Sequence, residues 1–264
     1  MTFVQAGAVR IHVHIEGPAD APVVVFSNSL GTDLRMWDAQ VPAFSERFRV
    51  VRYDGRGQGS SETPKGPYTM EELGGDALAV LDALDIERAH ICGISMGGMV
   101  ALWLAARHPE RLGRAIYANT AAKIGTDEMW DARIEAVRSG GVGAVRDGVL
   151  ARFFSDSSRC APQVIRSISE TLDSASPEGY VELCSAIRDA DLRDLVASIR
   201  IPSLVVAGAH DAATPPSEAS WLHHEIRESE LVVIDDAAHL SSVEQPDRFN
   251  QAVLDFLDRG DEIT

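Results

Sequence analysis

The pentapeptide Gly93-Ile94-Ser95-Met96-Gly97 constrains this chain more than any other stretch. It follows the apolar run Ala89-His90-Ile91-Cys92 and precedes Gly98-Met99-Val100-Ala101-Leu102-Trp103-Leu104-Ala105-Ala106, which reads as a helix. A G-x-S-x-G at a strand-to-helix junction is a nucleophile elbow. Its turn is so sharp that side chains two residues either side of the serine would collide, which is why glycine stands at both positions. The serine hydroxyl is then exposed at a helix N-terminus, where amide groups and the helix dipole favour negative charge.

Bulk properties narrow what such an elbow can serve. A length of 264 residues fits one α/β domain carrying a large insertion. With 45% hydrophobic and 24% charged residues, the chain reads as an ordinary globular protein. A formal net charge of -16 argues against nucleic acid or an anionic membrane as partner, because no excess of Lys and Arg exists to neutralise phosphates. An anionic substrate would need a local basic group to overcome that field. Cys92, Cys160 and Cys184 form no C-x-x-C pair, so neither a disulfide framework nor a zinc site is expected, and a reducing cytoplasm is. The first residues, Met1-Thr2-Phe3-Val4-Gln5, show no basic region followed by an apolar one, and no stretch is long enough to span a bilayer.

Strands and helices alternate through the first half. Val9 to Ile15 alternates with period two and reads as a half-exposed edge strand, which would leave His12 and His14 solvated or structural. Val23-Val24-Val25-Phe26 and Arg49-Val50-Val51-Arg52-Tyr53 are further strands, and Met70 to Leu84 has a helical apolar face. The elbow and a strand at Arg114 to Ala118 complete a mainly parallel pattern. The strand rhythm then stops. Asp131–Val137, Val142–Phe153, Pro162–Leu172 and Pro177–Ile187 read as helices, so residues 122–192 form an expected helical cap on a core of residues 1–121 and 193–264. Strands resume at Pro202–Ala207 and Glu230–Ile234, and a helix from Pro246 to Leu257 follows.

A serine hydroxyl needs an adjacent base, and that base needs an acid to fix its tautomer. Behind an elbow the chain order is serine, acid, histidine, the last two on loops after late strands. Asp211, in Gly208-Ala209-His210-Asp211, and His239, in Asp235-Asp236-Ala237-Ala238-His239, occupy those places. Asp235 and Asp236 read as turn residues, and His210 as a loop support rather than a base. After the Ala115–Ala118 strand, another possible site for the acid, the chain has Asn119. No H-E-x-x-H spacing supports a metal, and no cofactor is expected. Donors for an oxyanion should be the backbone N–H groups of Met96, in the elbow, and Leu30, in the Ser27-Asn28-Ser29-Leu30-Gly31 loop.

Taken together, the elbow, the late acid and histidine, the Asp54-Gly55-Arg56-Gly57-Gln58-Gly59-Ser60 turn and the helical insertion resemble an α/β-hydrolase over the whole chain. In that turn Arg56 reads as a loop tie. Asn28-Ser29-Leu30-Gly31, Gly93-Ile94-Ser95-Met96-Gly97-Gly98 and Asn119 to Gly125 resemble the 3-oxoadipate enol-lactonases. The resemblance implies that Ser95 attacks the lactone carbonyl with His239 as base, and that water then hydrolyses the acyl-enzyme. It also implies a small anionic lactone as partner. Arg133 would pair with its carboxylate and Trp130 would shape an apolar wall. The competing readings are a carboxylesterase or cofactor-free perhydrolase with the same triad, and a non-catalytic ligand receptor on the same scaffold.

Overall fold

Short apolar runs alternating with helices build one eight-stranded sheet in the order β1-β2-β4-β3-β5-β6-β7-β8, described by a computed structural model over residues 2–155 and 160–259. β1 (Thr2–Ala6) and β2 (Val9–Glu16) pair antiparallel, β2 pairs antiparallel with β4, and the remaining neighbours are parallel. β3 (Val23–Ser27) is followed by the short helix α1 (Val41–Phe44), then β4 (Arg49–Tyr53) and α2 (Met70–Ala83). β5 (Ala89–Ile94) feeds α3 (Met96–Arg107), and β6 (Leu112–Ala118) closes the first half. β5 and β6 are buried along their whole length, as strands covered on both faces must be.

The chain passes from β3 outward to β4 and returns on the other side of β3 as β5. Strand order reverses there, and the crevice beyond the carboxyl ends of such strands is where α/β sheets bind ligands.

Two expectations fail at the N-terminal edge. Thr2–Ala6 pair as β1 although five residues with three exposed side chains carry little periodic signal. As a result β2 is an interior strand rather than an edge. His12 is buried there, its Nδ1 2.8 Å from Asp54 Oδ2.

Between β6 and β7 lie the helices α4 (Asp127–Gly140), α5 (Arg146–Phe153), α6 (Pro162–Asp173) and α7 (Pro177–Asp189). The single helix expected over Val142–Phe153 is instead a 3-10 turn at Val142–Ala144 followed by α5, with Gly143 weakening helix propagation in the first turn. α4 packs on α7, and Arg188 Nη1 reaches Asp131 Oδ1 at 2.6 Å between them. At the base of the insertion, Leu192 N–H donates to Ala122 O at 2.8 Å. α8 (Arg193–Val196) leads to β7 (Ser203–Gly208), α9 (Pro216–Glu225), β8 (Ser229–Ile234), α10 (Ser241–Glu244) and α11 (Pro246–Leu257). Among the described residues no helix is long and apolar enough to cross a membrane.

Candidate active site

Ser95 sits between β5 and α3 with φ 57° and ψ -118°, a conformation a non-glycine residue holds only when its surroundings enforce it. They do so from both sides. Ser95 N–H donates to Ala118 O at 3.0 Å, while Ser95 O accepts from Thr120 Oγ1 at 2.7 Å and from Met99 N–H at 3.0 Å. The flanking glycines are needed because the turn brings backbones into contact. A Cβ on Gly93 would strike the Gly97 carbonyl, and one on Gly97 would strike the Ser27 carbonyl.

Asp211 and His239 come together from the loops after β7 and β8. Asp211 is buried, and its Oδ1 accepts the N–H groups of Ala213 at 2.8 Å and Thr214 at 2.9 Å. Its Oδ2 accepts from Thr214 Oγ1 at 2.7 Å, Asn119 Nδ2 at 2.9 Å and His239 Nδ1 at 2.9 Å. Burial alone would raise its pKa, but the charge and hydrogen bond of His239, with the Thr214 and Asn119 donors, hold the carboxyl at about 2. An ionised carboxylate only accepts, so His239 Nδ1 carries the hydrogen and Nε2 is left as the base-competent nitrogen. Asn119, noted in the sequence only as the lack of an alternative acid, has a supporting place here. Its φ is 43°, it donates to both Asp211 and Ala238 O, and its Oδ1 accepts from Ser241 Oγ.

Helix α5 also touches this loop. The Phe153 ring stacks on His239 with centroids 5.9 Å apart and planes 17° from parallel, and Leu240 N–H donates to Phe153 O at 3.0 Å. Glu244 joins the two parts further: one carboxylate oxygen accepts from Ser155 N–H at 2.9 Å and the other from Ala238 N–H.

The two expected oxyanion donors lie on the loop after β3 and at the start of α3. Leu30 and Met96 are buried, and neither amide is given to an acceptor among the described residues. The loop holding Leu30 is fixed by its neighbours. Asn28 Nδ2 donates to Tyr53 O at 2.8 Å, Asn28 Oδ1 accepts from Trp37 Nε1 at 2.9 Å, and Gln58 Nε2 donates to Ser29 O at 2.7 Å. Arg56 ties its turn to α2 through Asp76 and Glu72, as a loop tie should.

Ser95, Leu30 and His239 line one cavity of about 130 Å³ beneath the cap, together with Trp130 and Arg133. Trp130 Nε1 donates to Ile124 O at 2.6 Å, and the Arg133 guanidinium lies 4.8 Å from the centre of the indole ring. Ser29 of the Leu30 loop also reaches this cavity, as do two polar residues that no sequence motif marks, Arg152 and Tyr180. The Ser29 and Tyr180 hydroxyls are buried and lack hydrogen-bond partners among the described residues. Tyr180 feels the Arg133 charge, yet burial raises its pKa well above the ordinary phenol value. The cavity thus gathers two guanidinium groups and two hydroxyls, the donor set that binds a small anion, with no carboxylate among its described lining residues.

The α/β hydrolase fold family model matches residues 22–246. The chain belongs to that family. This α/β-hydrolase is 44% identical to 3-oxoadipate enol-lactonase 2 of Acinetobacter baylyi over 238 residues, 90% of this chain and 89% of that protein. Among solved structures, the enol-lactonase from Burkholderia xenovorans LB400 superposes with a TM-score of 0.94 at 43% identity, covering 97% of this chain and 99% of that one. A thermophilic esterase from Thermogutta terrifontis, solved with malate bound, has a TM-score of 0.91 at 31% identity, covering 97% of each chain.

Proposed function

We propose that this α/β-hydrolase opens 3-oxoadipate enol-lactone to 3-oxoadipate through an acyl-enzyme on Ser95. The observation that carries the reading is Arg133. It shares a cavity with Ser95 and His239 and forms no ion pair with any described residue, in a chain of net charge -16. The 44% identity to an enol-lactonase supports the same reading, and the malate bound to a related esterase shows a small carboxylate held by this fold.

In this mechanism His239 Nε2 takes the proton of Ser95 as its Oγ attacks the lactone carbonyl. Asp211 holds the imidazole orientation and stabilises the imidazolium. The Leu30 and Met96 N–H groups bind the tetrahedral oxyanion. Ring opening breaks the acyl C–O bond and expels an enolate, which takes up the proton held by the His239 imidazolium and becomes the ketone, leaving the imidazole neutral for the second step. Water deprotonated by His239 then attacks the acyl carbon, breaks its bond to Ser95 Oγ, and the proton returns to the serine. Arg133 pairs with the substrate carboxylate, and Trp130 forms the wall beneath it. The cap is assigned to residues 122–192, the Leu192–Ala122 backbone bond closing its base. Cys92 and Cys184 are buried free thiols, which fits action in the cytoplasm.

Arg133→Ala tests the assignment. Losing a charged partner costs about 2–5 kcal/mol, so KM for the lactone should rise roughly 30-fold or more. KM for uncharged p-nitrophenyl acetate should move little. An unchanged lactone KM in folded protein would remove Arg133 from the site.

A further inference from the structure

Two cavities meet at Arg152. The inner one holds Ser95 and His239. The outer one, about 430 Å³, lies between α5 and the loops that carry Asp211 and His239, and Arg152, Ser155 and His210 line it. Arg152 and Ala212 belong to both linings, so the two spaces adjoin at the guanidinium. Neither cavity is lined by an aspartate or glutamate among the described residues, although the chain has 40 acidic residues. Arg152 is exposed and has no ion-pair partner among the described residues. Burial of part of its side chain and, after it, the charge of nearby Arg133 push its pKa below the ordinary guanidinium value.

We infer that Arg152, with His210 on its outer side, forms a second carboxylate subsite that receives the carboxylate created by hydrolysis and passes it to the outer cavity. The ligand class is the short-chain dicarboxylate. This rests on the ring-opening reading. A lactone with one carboxylate enters. Water adds its oxygen to the acyl carbon, the bond to Ser95 Oγ breaks, the serine regains its proton, and the new carboxylic acid loses a proton to solvent. The product therefore carries one more negative charge than the substrate, and that charge arises beside His239, whose partner Asp211 is already ionised. Attraction to Arg152, which lines both spaces, draws that charge toward the outer cavity. Arg133 keeps the original carboxylate, so the two arginines divide the two charges.

The test is direct binding, which needs no turnover. Calorimetric Kd values are measured at pH 7.5 and low salt for adipate and for its monoamide, which has the same length but one charge. The wild type should bind adipate at least about tenfold more tightly than the monoamide, the value of one charge-assisted contact. In Arg152→Gln that ratio should fall to within about twofold, with monoamide binding nearly unchanged, and Arg152→Lys should recover part of it. Equal weakening of both ligands would mean that both arginines grip a single carboxylate. An unchanged ratio would take Arg152 out of ligand binding, and either result overturns the inference. Because the lactone is absent from the assay, failure of the ring-opening reading would appear separately, in turnover.

Discussion

Ser95→Ala is expected to lower kcat for the enol-lactone by about 10⁴–10⁶-fold, the range found when a triad nucleophile is removed. Without Oγ there is no acyl-enzyme, and only binding and the Leu30 and Met96 donors remain to assist direct attack by water. The substitution should be structurally mild. The strained turn is held by backbone bonds to Ala118, Thr120 and Met99, none of which uses the serine hydroxyl. A fluorophosphonate probe gives the clearest reading: one equivalent should label the wild type, and none should label the alanine variant. Labelling of Ser95→Ala at the wild-type rate would mean that the nucleophile lies elsewhere.

Asp211→Asn should cost about 10³–10⁴-fold in kcat, because an amide facing His239 Nδ1 favours the wrong tautomer. It should also change the acid sensitivity of the fold, with a definite sign. The folded-state carboxyl sits at about 2 against an ordinary 3.8, a depressed value. Its contribution, on the order of 2 kcal/mol, is therefore complete above the unfolded value and lost as the pH falls from about 4 toward 2. Urea midpoints of wild type and Asp211→Asn should differ most near pH 6 and converge below pH 4. A gap that stayed constant to low pH would show that the carboxylate is not held ionised by its partners.

Much of this site was legible because its chemistry lies in local motifs. The glycines around Ser95, and an acid and a histidine each placed after a late strand, are signals within a few residues of the groups they position. The Ser27–Gly31 loop was legible for the same reason, although Asn28 proved to be a stitch to Tyr53 and Trp37 rather than part of the chemistry. What escaped notice depends on contacts across the chain. β1 is a strand because β2 pairs with it, residue against residue from Thr2–Val13 to Ala6–Val9. Arg152 and Tyr180 belong to different cap helices and meet Ser95 only after α5 and α7 have packed. No spacing in the sequence links Arg133 to Arg152. Their shared cavity is a product of how the cap folds back over the elbow.

The central claim is that the site is shaped for a lactone bearing a carboxylate rather than for esters in general. Its most direct test is kcat/KM for 3-oxoadipate enol-lactone against p-nitrophenyl acetate on one preparation. Anchoring of the carboxylate, at about 2–5 kcal/mol, predicts a preference for the lactone of at least roughly 30-fold, and up to several thousand-fold. A preference for p-nitrophenyl acetate, with the lactone left unopened, would contradict the assignment.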